Sequence, residues 1–221
     1  MVPADREGRG VRVKVCGICR LEDALVALDE GAWALGFIFH SPSPRFIAPD
    51  DAAELIAAIR GSSSREFLAV GVFVDWPRAE LQRVVESAAL DVAQLHGAET
   101  PGYVAEVRAS EVWKALRVGD GFDVSDVDRY PAATRVLLDT YREGAAGGTG
   151  ATFDWGLARA ANERRPIILA GGLGPDNIAD ALECVRPEVV DVSSGVEVRP
   201  GEKDPCKVRA LLRAVAFSKS D

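Results

Sequence analysis

The sequence has no stretch apolar enough to cross a membrane. Its longest uncharged run, Gly31 to Pro44, is broken by His40, Ser41, Pro42 and Ser43, well short of the roughly 18 apolar residues that a spanning helix needs. The opening MVPADREGRG lacks the apolar centre of a secretory signal, so the expected location is cytoplasmic. Positive charge is also scarce. Twenty-six basic residues stand against 34 acidic ones, a formal charge of -8, and such a field repels phosphate backbones and anionic lipid. Nucleic acid and membrane are therefore not expected partners. Cysteine is limited to Cys16, Cys19, Cys184 and Cys206, expected to be reduced thiols in that compartment. The 21 Gly and 12 Pro are too few for an aperiodic flexible polymer. The first strand-to-helix turn reads CGICRLEDA and lacks the G-x-G-x-x-G fingerprint, which argues against a dinucleotide-binding doubly wound sheet.

What is present is a repeated alternation. Eight β-rich runs recur along the chain: Val11 to Cys16, Trp33 to Phe39, Phe67 to Val74, Leu90 to His96, Glu111 to Val118, Thr134 to Asp139, Pro166 to Gly171 and Glu188 to Ser194. Between them lie helical patterns. Leu81, Val84, Val85 and Ala88 fall at i, i+3, i+4 and i+7, and Ile178, Ala181, Leu182 and Val185 repeat that spacing, as do Val208, Leu211, Leu212 and Val215; each set forms one apolar stripe. Asp204 and Pro205, like Thr100 and Pro101, read as helix starts. The fifth segment, GDGFDVSDVDRYP, is short and acidic and reads as one turn or a loop. Eight strand–helix units without a linker predict one α/β domain, a (β/α)8 TIM barrel over residues 10–221, with residues 1–9 a loose tail.

In such a barrel the chemistry sits at the C-terminal ends of the strands. Side chains alternate along a strand, so Lys14 and Cys16 turn one way while Val13 and Val15 turn under the helices. By the same count Gln94 and His96 share a face opposite Leu95, and Leu137 and Asp139 share one opposite Leu138. The seventh and eighth ends read LAGGLGPDN and DVSSGVE. Glycine lets backbone approach an anion and free N–H groups there supply donors, so Gly171, Gly172, Ser193, Ser194 and Gly195 are the expected phosphate-binding residues.

KVCGICRLEDA, GFIFHSPSPRFI, VGVFVD, VAQLHGAE, LLDT, GGTGATFDW, LAGGLGPDNI and DVSSGVEVRPGEKD, in that order, resemble the phosphoribosylanthranilate isomerase family of tryptophan biosynthesis over nearly the whole chain. The resemblance implies a (β/α)8 barrel and a cofactor-independent, metal-free Amadori rearrangement of a small phosphorylated substrate. It places the family's general base on Cys16 and its general acid on Asp139. Arg45, in Ser43-Pro44-Arg45, is then expected to hold the substrate carboxylate, for which a guanidinium fork is suited. Gln94 and His96 are expected to position substrate, Asp191 to contact substrate or orient the phosphate loop, and Lys14 to contact substrate and help lower the thiol pKa. GGTG at Gly147 to Gly150 is an expected mobile loop over the site.

Cys19 departs from the family's more usual Thr or Asn and creates Cys16-Gly17-Ile18-Cys19, a C-x-x-C that admits a redox or metal reading. Two rival functions stand beside the isomerase: a histidine-pathway isomerase of the same Amadori type, disfavoured by a Cys where that enzyme uses a carboxylate, and a non-catalytic phosphate-binding barrel. A monomer and a homodimer are equally compatible with the sequence.

Overall fold

In the computed structural model, residues 10–119, 121–140 and 154–218 are described; the expected tail and the GGTG loop lie outside them. Eight parallel strands close on themselves in sequence order, β1 (Arg12–Cys16), β2 (Ala34–Ile38), β3 (Leu68–Phe73), β4 (Val92–Leu95), β5 (Glu111–Val118), β6 (Arg135–Thr140), β7 (Ile167–Leu169) and β8 (Val189–Val192). The seam joins β1 to β8 with Lys14 opposite Asp191. The expected (β/α)8 barrel is thus the observed architecture, with strand bounds differing by up to two residues at each end.

Helices α1 (Leu21–Asp29), α2 (Pro49–Ser62), α3 (Arg78–Ser87), α4 (Pro101–Glu106), α5 (Trp155–Arg164), α6 (Ile178–Val185) and α7 (Pro205–Phe217) pack outside. The three apolar stripes are the buried faces of α3, α6 and α7, and Ala88 is buried just past the end of α3. Asp204 accepts from the Cys206 and Lys207 N–H groups with Pro205 at the first turn, and Thr100 accepts from Tyr103. Between β5 and β6 the short acidic segment makes a 3-10 helix, Val124–Arg129, closed by a reciprocal capping box of Asp123 and Asp126. Too few apolar positions are available there to build a longer amphipathic helix.

Burial separates two apolar layers. Val13, Val15, Leu95 and Leu138 pack with the helices, while Ala34, Val70, Val92, Trp113, Ala115, Leu137 and Ile168 fill the barrel interior. Strands buried on both faces read as near-continuous apolar runs. The floor is an aromatic plug: Trp33 stacks on Trp113 at 5.8 Å, with the Arg12 guanidinium 4.4 Å above the Trp33 ring. Above this filling, the C-terminal ends are polar.

One buried ion pair supports the loop after β4. Lys114 Nζ lies 3.1 Å from Glu99 Oε2 with both side chains 2% exposed, and donates to the Leu95, Gly97 and Ala115 carbonyls. Glu99 in turn accepts from the Asp75 and Gly97 N–H groups. Removing one partner strands the other charge without water, so Glu99→Ala is expected to lose about 3 kcal/mol of stability in urea unfolding. A loss below about 1 kcal/mol would mean that the carbonyl cage alone satisfies Lys114.

Candidate active site

The inward positions expected from strand alternation meet at one end of the barrel. Lys14 is fully buried and its Nζ donates to Asp191 Oδ2 at 2.7 Å across the β1–β8 seam. Burial opposes charge on Lys14, but Asp191 and Cys16 outweigh it and hold the ammonium above the ordinary lysine range. Cys16, at the end of β1, is buried against Gly36 of β2. A Cβ on Gly36 would lie 2.7 Å from the thiol sulfur and 3.1 Å from Lys14 Cε. The absent side chain of Gly36 is therefore what makes room for the thiol and the lysine stem, a role that sequence reasoning missed.

The Cys16 thiol departs from the expectation in one respect. Lys14 does draw its pKa down, but burial outweighs that pull and, with the nearby Asp191 charge, leaves the thiol above its ordinary value. Desolvation penalises a thiolate more than one lysine, itself engaged by a carboxylate, can repay.

On the other side of the mouth, His96 Nε2 is 3.3 Å from Asp139 Oδ2 and Gln94 Nε2 is 3.1 Å from His96 Nδ1. With Gln94 on the Nδ1 side, the Nε2 side of the imidazole is the one that faces Asp139. Asp191 lies close enough to sense the charges of Asp139 and His96 as well as of Lys14, so it links the two sides. Asp191 Oδ1 and Gln94 Oε1 are buried acceptors with no hydrogen-bond partner among the described residues. Groups of this kind suit a ligand that brings its own hydroxyl donors.

The loops after β7 and β8 form the third part. Gly171 and Gly172 both have positive φ, 90° and 64°, a conformation glycine adopts without strain. Asn177 pins this turn, its Nδ2 donating to the Gly172 carbonyl at 2.9 Å and its Oδ1 accepting from Gly174 N–H at 2.9 Å. At Gly195 the eighth loop lies backbone on backbone against the seventh, where a Cβ would collide with the Leu173 carbonyl oxygen. Gly195 sits within the turn Ser194–Val196, and Ser193 Oγ donates to the Cys16 carbonyl at 3.1 Å. The expected phosphate residues thus lie on two loops packed against each other, one of them tied to the Cys16 backbone.

Arg45 is also brought to this face, but not as a free cation. Its Nε and Nη2 engage Glu197 at 2.9 and 2.7 Å, and both side chains are buried. Glu197 belongs to an unforeseen hairpin, β9 (Glu197–Arg199) and β10 (Glu202–Lys203), turned at Pro200-Gly201. Alternation of Glu197 and Lys203 around that Pro-Gly was the available signal.

Cys19 Sγ points to the Arg45 carbonyl at 3.5 Å, whereas the Cys16 sulfur faces Gly36. Both thiols are free, and among the described residues no group of three or more His, Cys, Asp or Glu is arranged to hold a metal ion. The C-x-x-C therefore works here as two separate side chains.

The arrangement brings two glycine-bent loops, a buried thiol beside a lysine, and a carboxyl next to a histidine to one end of the barrel. The family model described as N-(5'phosphoribosyl)anthranilate (PRA) isomerase matches residues 13–214. The chain is 48% identical over 203 residues to the N-(5'-phosphoribosyl)anthranilate isomerase of Geobacter metallireducens, covering 92% of this chain and 98% of that protein. The phosphoribosyl anthranilate isomerase of Thermus thermophilus superposes with a TM-score of 0.83 at 41% identity, covering 94% of this chain and 99% of that one. A phosphoribosyl anthranilate isomerase in complex with reduced 1-(o-carboxyphenylamino)-1-deoxyribulose 5-phosphate gives 0.82 at 36%, with the same coverage.

Proposed function

The chain belongs to the N-(5'-phosphoribosyl)anthranilate isomerase family, and on that premise we propose that Cys16 and Asp139 are the base and the acid of its reaction. The protein is an isomerase of tryptophan biosynthesis. It converts the aminoaldose N-(5-phosphoribosyl)anthranilate into the aminoketose 1-(2-carboxyphenylamino)-1-deoxyribulose 5-phosphate. Its substrate is a small phosphorylated molecule.

The proposed steps are proton transfers. Asp139, oriented by His96, gives its proton to the furanose ring oxygen; the C1–O bond breaks and the nitrogen lone pair forms the iminium. Cys16 as thiolate then takes the C2 proton, and those electrons neutralise the iminium to leave an enolamine. Tautomerisation to the ketone completes the rearrangement, with acid and base contributing about 100-fold or more each. Lys14 holds the Cys16 thiolate while it exists. Gly171, Gly172, Ser193, Ser194 and Gly195 bind the phosphate, Arg45 binds the anthranilate carboxylate through the edge that Glu197 does not use, and the unpaired oxygens of Asp191 and Gln94 accept from sugar hydroxyls.

What supports this reading is the convergence of a thiol, a carboxyl and two glycine-packed loops above an otherwise apolar barrel. Decay of anthranilate-type fluorescence, with substrate generated in situ and reductant and EDTA present, tests it. Enzyme-dependent decay with the ketose phosphate as product is expected; decay no faster than spontaneous breakdown would overturn the reading.

The phosphate cradle has its own test. Gly195→Ala forces the seventh and eighth loops apart, so KM is expected to rise at least about 10-fold while the thermal midpoint stays within a few degrees. An unchanged KM would take the phosphate away from these loops. No described helix is long and apolar enough to cross a membrane; the enzyme is proposed to be cytoplasmic, a monomer or homodimer, and its net charge of -8 disfavours a nucleic-acid partner.

A further inference from the structure

The hairpin after β8 carries a buried ion pair that the acid–base steps do not use. Lys203 Nζ is 2.8 Å from Glu197 Oε1 and both side chains are nearly inaccessible. The pair reaches in two directions. Towards the β2 side, Glu197 grips Arg45 through Nε and Nη2. Towards the β8 loop, Lys203 Nζ donates to the Ser193 carbonyl at 3.3 Å, and Ser193 in turn donates to the Cys16 carbonyl. The hairpin is itself anchored, since Lys203 N–H donates to Asp23 Oδ2 at 3.0 Å and Lys207 Nζ to the Glu197 carbonyl at 2.9 Å.

Arg45 is confined from another side. Gly17 has φ +77°, and a Cβ there would lie 2.7 Å from Arg45 Cδ and 3.3 Å from Ser193 Oγ. The guanidinium is thus clamped between a glycine floor and a carboxylate. A guanidinium fork has two usable edges. Glu197 occupies the Nε–Nη2 edge, and Nη1 has no partner among the described residues. A second carboxylate is therefore met end-on, in a direction that Glu197 sets.

We infer that Glu197 and Lys203 are positioning residues that fix the spacing between the carboxylate-binding Arg45 and the phosphate-binding loop at Ser193, so that the enzyme measures the distance between the two anionic ends of its substrate. This rests on the roles given above to Arg45 and the β8 loop. The two arms have separable consequences. Glu197 holds Arg45 and Lys203 through the same oxygen, so its loss weighs more on a substrate that has the carboxylate, whereas loss of Lys203 acts through the phosphate and affects any phosphoribosyl amine alike.

The test compares two substrates, made by condensing ribose 5-phosphate with anthranilate or with aniline, which lacks the carboxylate. Glu197→Asp keeps the charge and withdraws it, so KM for the anthranilate substrate is expected to rise about 10-fold with kcat within about threefold, and KM for the aniline substrate, touched only through Lys203, is expected to rise by less than about threefold. Should that variant fail to fold, Glu197→Gln keeps the volume and reads the same split. Lys203→Met is expected to raise KM for both substrates by a similar factor, about 10-fold, and to weaken competitive inhibition by inorganic phosphate equally. Equal KM changes on both substrates for the Glu197 variant, or wild-type values throughout, overturn the inference. Arg45→Met separates its failure from that of the reading beneath it. If that variant loses both substrates alike, the carboxylate assignment falls and the inference with it; if it discriminates and the Glu197 variant does not, the inference alone falls.

Discussion

Cys16→Ala is expected to lower kcat at least about 100-fold, the low end for loss of a general base, with KM changed little. The variant should fold, because the thiol sits in a space that Gly36 leaves open and alanine only reduces the filling. Cys16→Ser should be nearly as inactive, since a serine hydroxyl ionises far above a thiol. The pH profile identifies the base more directly. Burial lifts the thiol above its ordinary value, so the thiolate fraction, and with it kcat/KM, should still be climbing as pH rises past neutrality. Lys14→Met removes the larger of the two cationic pulls, from Lys14 and Lys203, that draw the thiol down; activity near pH 7 should fall further and the rising limb should move to higher pH. Stopped-flow fluorescence across pH 6 to 9 (roughly the range in which thiols matter) reads both effects. Near-normal turnover by the alanine variant would remove Cys16 from the mechanism.

Asp139→Asn is expected to be equally damaging, with kcat at least about 100-fold down. The substitution isolates proton donation from architecture. An asparagine can still face His96 Nε2, which lies 3.3 Å from Asp139 Oδ2, so the local structure should survive, but an amide does not protonate a ring oxygen. Substrate affinity should remain within a few-fold, because the phosphate cradle and Arg45 lie on other loops. His96→Gln, which loses orientation of the acid but not the acid, should cost less, about 10-fold. If the Asn variant turned over at more than about a tenth of the normal rate, ring opening would need another donor, and His96 would be the first to examine.

Much of this site was legible along the chain because its determinants are local. A strand alternates with period 2, so Lys14 and Cys16 could be separated from Val13 and Val15, and Gln94 and His96 from Leu95, without knowing what surrounds them; burial divides them that way. Gly171, Gly172 and Gly195 announced close backbone approach because glycine alone tolerates it. Helix stripes and caps were equally readable, and the short acidic segment yielded only a 3-10 turn because its signal was weak.

The sequence alone determined the eight-unit alternation, the inward set of polar residues and the glycine-built loops, since each depends on neighbours a few positions away. Tertiary structure decided what those residues meet. Arg45 finds Glu197 at a separation of 152 residues and Lys14 finds Asp191 at 177. Both partnerships exist because the barrel closes in one register. The direction of the Cys16 shift had the same origin: a lysine two residues away was visible in the chain, whereas the burial that outweighs it comes from the packed barrel end and from Gly36 on the next strand. Desolvation is a property of everything packed around a group, so spacing along a chain could suggest the thiol's neighbour but not the sign of its net response.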